Sequence, residues 1–115
     1  MKVSFEGFDE KVLSFASDST AAPKTGEVVK ISANGTVSAC DEEDDFIGAV
    51  IAADDDFAVV QVGGYIKLPY SGTAPTVGYG ILVADDDGGV ASNDEGKSYL
   101  IIDVDTTAGT VGFIL

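Results

Sequence analysis

The sequence predicts an all-β protein: a small single-domain antiparallel β-barrel or β-sandwich built of short hairpins. Three observations predict it. Apolar, β-branched runs of about five residues recur along the chain, separated by clusters of Gly, Asn, Asp and Pro. No segment sustains a helical period of apolar residues. The 14 glycines among 115 residues supply the tight turns and bulges that short strands need. Closure into a barrel is favoured over an open sheet because it removes exposed strand edges.

The pattern is clearest over residues 46–70. Two apolar arms, 46–52 and 57–62, flank an acidic break, as in an antiparallel hairpin with both faces largely buried. Gly63-Gly64 then bends the chain. Residues 65–68 resume an alternating strand, which Pro69, lacking an N–H, ends or leaves on an edge. Upstream, Val3 and Phe5 alternate with Lys2, Ser4 and Glu6, as on a strand. Residues 9–16 read two ways: a short helix capped by Asp9, or a strand on which Leu13 and Phe15 alternate. The lack of helical character elsewhere favours the strand.

Residues 17–24 are small, polar and marked by Pro23, and read as a loop. Strands at 28–32 and 36–39 are joined by Asn34-Gly35, the signal for a type I′ turn with positive φ at both central residues. Residues 41–45 are all acidic and form an exposed loop. Further strands are expected at 81–84, 90–91, 99–105 and 110–115. The expected organisation is one structural domain, with an N-terminal strand or arm and loop over 1–24 and the barrel over 25–115. Ala-Asp-Asp-Asp occurs at 53–56 and again at 84–87. This reads as two hairpin tips sharing turn chemistry, without a duplicated domain.

Charge narrows the function. The net charge is -14, from 20 acids against six lysines, with neither Arg nor His. Phosphate binding needs a cationic surface, so nucleic acid is not an expected partner, and an anionic membrane is disfavoured for the same reason. Without imidazole or guanidinium, the commonest general bases and phosphoryl clamps are missing. Cys40 is the single cysteine, so neither an internal disulfide nor a multi-thiolate zinc site can form. Its acidic flank raises the thiol pKa and weakens any case for a nucleophile, so it reads as a small buried or half-buried residue at a strand end. No apolar run is long enough to span a bilayer, and the acidic N-terminal segment does not read as a signal peptide.

The candidate sites are few. Asp54, Asp55 and Asp56, with Asp85, Asp86 and Asp87, are weak candidates for cation ligands. They lack the alternating spacing and bidentate Glu of a Ca²⁺ loop, and solvated hairpin tips explain them as well. Asp103 and Asp105 share one strand face, yet no nucleophile–base pair accompanies them, so no catalytic residue, metal or cofactor is assigned and an enzyme is not expected. Gly63-Gly64 and Gly78 with Gly80 lack the following helix of a phosphate cradle. Tyr65, Tyr70, Tyr79 and Tyr99 could form an aromatic face for a sugar or a protein, or serve as packing. The apolar end Phe113-Ile114-Leu115 needs a cover, either the N-terminal strand or another subunit.

Four stretches taken together follow a familiar running order: Gly26-Glu27-Val28-Val29-Lys30-Ile31, Phe46-Ile47-Gly48-Ala49-Val50, Val59-Val60-Gln61-Val62-Gly63-Gly64-Tyr65 and Pro75-Thr76-Val77-Gly78-Tyr79-Gly80-Ile81-Leu82. Over roughly residues 25–105 the chain resembles the small head-decoration, or capsid cement, proteins of tailed bacteriophages and prophages. The resemblance implies a compact barrel, often trimeric, fastened to the major capsid protein of the shell. It implies localisation at the virion surface, or in the bacterial cytoplasm during assembly. Contact residues would then be Val3 and Phe5 on an N-terminal arm and Phe113, Ile114 and Leu115 at the other end. The heavy acidity of residues 41–45 departs from the family pattern. The rival reading is a cation- or carbohydrate-binding β-module of a bacterial protein.

Overall fold

The computed structural model describes residues 10–115. The expected contacts Val3 and Phe5 lie outside these residues. Among the described residues every regular element is a strand, in keeping with the all-β expectation: β1 (Lys11–Ser17), β2 (Val28–Ala33), β3 (Thr36–Ala39), β4 (Gly48–Ala53), β5 (Phe57–Gly63), β6 (Tyr65–Ser71), β7 (Gly78–Ala84), β8 (Val90–Ser92), β9 (Lys97–Asp105) and β10 (Thr110–Ile114).

The strands form two closed five-stranded barrels where one was expected. Barrel one runs β1-β3-β2-β4-β5 and closes β5 on β1. Barrel two runs β6-β8-β7-β9-β10 and closes β10 on β6. Neither is purely antiparallel, because β1 pairs with β3 and β6 with β8 in parallel. The single-domain antiparallel barrel is thereby corrected. The strand lengths explain why: strands of three to nine residues wrap a narrow cylinder, and five of them close it before the chain is used up. β1 falls where the sequence favours a strand over a helix at 9–16, within the expected N-terminal strand or arm and loop of 1–24, and it forms part of the wall of barrel one.

The barrels share one topology. Each is made in the order strand, hairpin, hairpin, with the first strand parallel to the third and antiparallel to the fifth. Both second hairpins carry a register shift at the same place, between Val50 and Ala52 and between Gly112 and Phe113 opposite Ile102. The acidic echo does mark two hairpin tips with the same Asx chemistry, but the two tips are not equivalent in the barrels. Asp54-Asp55-Asp56 joins β4 to β5, whereas Asp85-Asp86-Asp87 joins β7 to β8. The counterpart of the first tip is the turn that begins at Asp105.

The hairpin expected over 46–62 forms as β4 and β5 of barrel one, but its two faces are not both buried: Ile51 is 46% and Phe57 62% exposed, because the outer side of the barrel wall there faces solvent. One local expectation fails, and the one for Pro69 resolves to its edge alternative. Asn34 is not among the positive-φ residues, while Gly35 has φ 62°, and the ladder shifts register between Ile31 and Ala33. A left-handed Gly beside a bulge closes this hairpin in place of a type I′ turn. Pro69 does not end its strand, since β6 continues to Ser71. The N–H of Tyr70 points to Gly109 O beside β10, so the Pro69 nitrogen faces the other side, where pairing with β8 begins only at Tyr70. No ladder bond is lost there.

Two buried clusters follow. Val29, Val37, Val50, Ala58 and Val60 fill barrel one. Leu68, Leu82, Ala84, Val90, Tyr99, Ile101, Val111 and Phe113 fill barrel two, and Val28, Phe46 and Ala49 from the first half complete that cluster. Adjacent residues thus serve different cores: Val28 goes to the second and Val29 to the first, as strand alternation dictates.

Candidate functional site

The aspartates placed at turns are engaged by the backbone. Asp54 Oδ1 accepts the N–H groups of Asp56 and Phe57, both at 2.8 Å. Asp105 Oδ1 accepts those of Thr107 and Ala108 at 3.0 Å. Asp85, buried, accepts the N–H groups of Asp87 and Gly89 at 2.8 Å. Asp18 takes the N–H of Thr20 at 2.7 Å and that of Ala21 at 3.2 Å, and its other oxygen takes the Ser32 hydroxyl at 3.0 Å. These are Asx turns, in which a carboxylate satisfies donors that a tight bend leaves open. The Phe57 N–H holds the Asp54 carboxyl below its usual range, and the Ala108 and Thr20 N–H groups do the same for Asp105 and Asp18.

Asp55, Asp56, Asp86 and Asp87 are exposed. Among the described residues, no group of three or more His, Cys, Asp or Glu is placed to hold a metal ion. Asp103 and Asp105, paired from sequence as a wet strand face, have separate duties: Asp103 accepts the Tyr65 hydroxyl at 2.8 Å, and Asp105 caps its turn.

The 41–45 loop has its own fastening. Lys30 Nζ donates to Asp44 Oδ2 at 2.7 Å and lies 3.5 Å from Asp41 Oδ2, and Asp44 Oδ2 also accepts the Asp41 N–H at 2.8 Å. The bond to Asp44 raises the Lys30 pKa, and the bond from Lys30 lowers that of Asp44. Cys40 sits beside this clasp, half-buried after β3, and burial pushes its thiol up to about 12. That is a protonated, unreactive thiol.

Phe46 is the residue that sequence reasoning missed. The apolar pattern places it at the start of a strand, but it precedes β4 and enters the core of the other barrel. Its ring stacks on Tyr99 with centroids 5.2 Å apart, and its edge meets Phe113 at 6.0 Å. The Tyr99 hydroxyl donates to the Phe46 carbonyl at 3.3 Å. Phe113, expected as an outward contact, is fully buried here, and Ile114 and Leu115 are half-buried. β10 is covered on both sides by β9 and β6 of its own chain.

The four tyrosines do not gather on one face. Tyr99 is buried, Tyr65 and Tyr70 are half-buried, and Tyr79 stands out at 81% exposure. Tyr79 pairs with Leu100 across β7 and β9, and Leu100 pairs with Ile114 across β10, so the three share the outer wall of barrel two. Compared with known protein families and with curated proteins, the chain matches none.

Proposed function

We propose that the chain is a non-enzymatic structural protein of a tailed-phage or prophage virion, a decoration protein that fastens the major capsid protein at the shell surface. The observation that carries this reading is the employment of the acidic side chains. Asp18, Asp54, Asp85 and Asp105 hold turns, Asp44 holds its loop, and Asp103 holds Tyr65. Groups committed to the fold in this way serve a durable body, and a cement protein needs a body and contacts, with avidity across a lattice multiplying weak individual bonds. The strand-and-glycine order over residues 25–105 supports the same reading, and with it a homo-oligomer, with a trimer favoured. Tyr79, Leu100 and the half-buried Ile114 give the outer wall of barrel two an apolar patch.

The test is co-expression with the shell protein encoded in the same gene cluster, followed by sedimentation of the assembled shells. Stoichiometric co-sedimentation and a raised shell melting temperature are expected. A metabolic gene neighbourhood, or shells that sediment without the chain, would overturn the proposal.

A further inference from the structure

The barrels are one design used twice, and the two copies differ in what covers them. Matched by ladder position, Val60 corresponds to Phe113, Val37 to Val90 and Ile31 to Ala84. Gly35 and Gly88, both with positive φ, fall at the same turn. Ala49 corresponds to Leu100, each lying one residue before a residue paired with that matched position on the closing strand.

Two features of barrel one hold barrel two. On the outside of β2 and β4, Val28 pairs with Ala49, and both are buried in the second cluster. Just ahead of β4, the 41–46 segment straps the end of β7: the Glu43 N–H donates to Ala84 O and the Ala84 N–H to Asp44 O, each at 2.9 Å. This strap completes β7 where pairing with β9 stops, at Leu82 opposite Lys97.

Each feature has an uncovered counterpart. On the outside of β7 and β9 the pair facing outward is Tyr79 with Leu100, 81% and 39% exposed. Ala49 faces Val28 whereas Leu100 faces Tyr79, although the strand counterpart of Val28 is Ile81. That slip of two residues keeps the outward side unchanged. Asp94-Glu95, just ahead of β9, repeats Asp41-Glu42 and is exposed. On the receiving side, β4 pairs with β2 only at Val28 and Val29, and Ile31, the counterpart of the strapped Ala84, is 49% exposed.

We propose that the outer β7–β9 wall of one copy, Tyr79 with Leu100, docks on the Ile31 edge of β2 in a second copy, repeating between chains the contact that joins the barrels within one chain. Such a contact is head-to-tail. It uses two different patches and generates a closed ring or a filament, according to the rotation at each step. The acidic surface opposes it at low ionic strength, so added salt strengthens the assembly. The inference does not rest on the virion reading, because it concerns the chain alone.

Sedimentation velocity of the full chain from micromolar to millimolar concentration, in about 0.5 M NaCl to screen the surface charge, tests it. The expected result is a mass rising above the 11.8 kDa monomer. Tyr79→Asp and Ile31→Asp should each weaken association about tenfold or more. Mixed in equal amounts, they should form a dimer that grows no further, since one retains the wall and the other retains the edge. Tyr79→Ser and Ile31→Thr repeat the experiment if an aspartate variant lacks the native circular dichroism. A wild type that stays monomeric, or an Ile31 variant that assembles like wild type, would overturn the proposal. So would folded variants that remain monomeric when mixed.

Discussion

Replacing Phe46 by Ala tests whether the barrels share a core. The side chain is 3% exposed and sits between Tyr99 and Phe113. Truncating a buried Phe to Ala removes its transfer free energy and leaves a cavity, together about 3 to 5 kcal/mol. Two aromatic pairs are lost with it, each worth about 0.5 to 1.5 kcal/mol beyond area, which places the loss in the upper half of that range. For a chain of 115 residues, about 4 kcal/mol corresponds to a fall in Tm of about 15 °C. Calorimetry on wild type and variant, with urea titration to obtain the free energy, provides the measurement. Wild type should unfold in one transition, because Val28, Phe46 and Ala49 belong to one half of the chain and pack into the other. Phe46→Leu should recover most of the loss. A loss below about 1 kcal/mol, or two separate wild-type transitions, would refute the shared core.

Gly48→Ala should destabilise by about 1 to 3 kcal/mol or more, because a methyl there runs into the Gln61 backbone carbonyl and the strand pair must shift to admit it; urea denaturation measures it. At pH 8 the native Cys40 thiol should react with a disulfide reagent at least about a hundredfold more slowly than the unfolded chain, because burial keeps it protonated. Asp54→Asn with Asp105→Asn should lower Tm at pH 7, and the difference should shrink in acid. The two carboxyls titrate below their usual 3.8 in the folded state, so their stabilisation is present above that value and is lost as pH falls through the folded one. A difference that persists at pH 2 would rule out charge-assisted turn capping. Lys30→Met should loosen the 41–45 loop, seen as faster amide exchange at Asp41, whose N–H is bonded to Asp44 at 2.8 Å.

Much of the secondary structure is legible locally. The strand over 36–39 is read to the residue, and the β4–β5 hairpin to within two residues at either end, because β-branched runs bounded by turn residues have few alternatives. The half-burial of Cys40 follows from its place at a strand end. The duplication is not legible. Its identities, such as Val37 with Val90, Asp41-Glu42 with Asp94-Glu95, and Asp54 with Asp105, fall at two different spacings, because the matching turns differ in length. Barrel interiors also accept any apolar residue of suitable volume, so Val60 can stand where Phe113 stands and the repeat leaves little trace.

Composition and periodicity established an acidic chain of short strands and tight turns, since strand propensity and turn chemistry act over a few residues. The number of barrels, the parallel pairs that close them and the burial of Phe46 in its neighbour were decided by contacts between residues far apart in the chain. In a closed barrel each strand must satisfy two neighbours at once, and which strand supplies the second depends on register and twist summed around the whole circuit. No local stretch of sequence carries that sum.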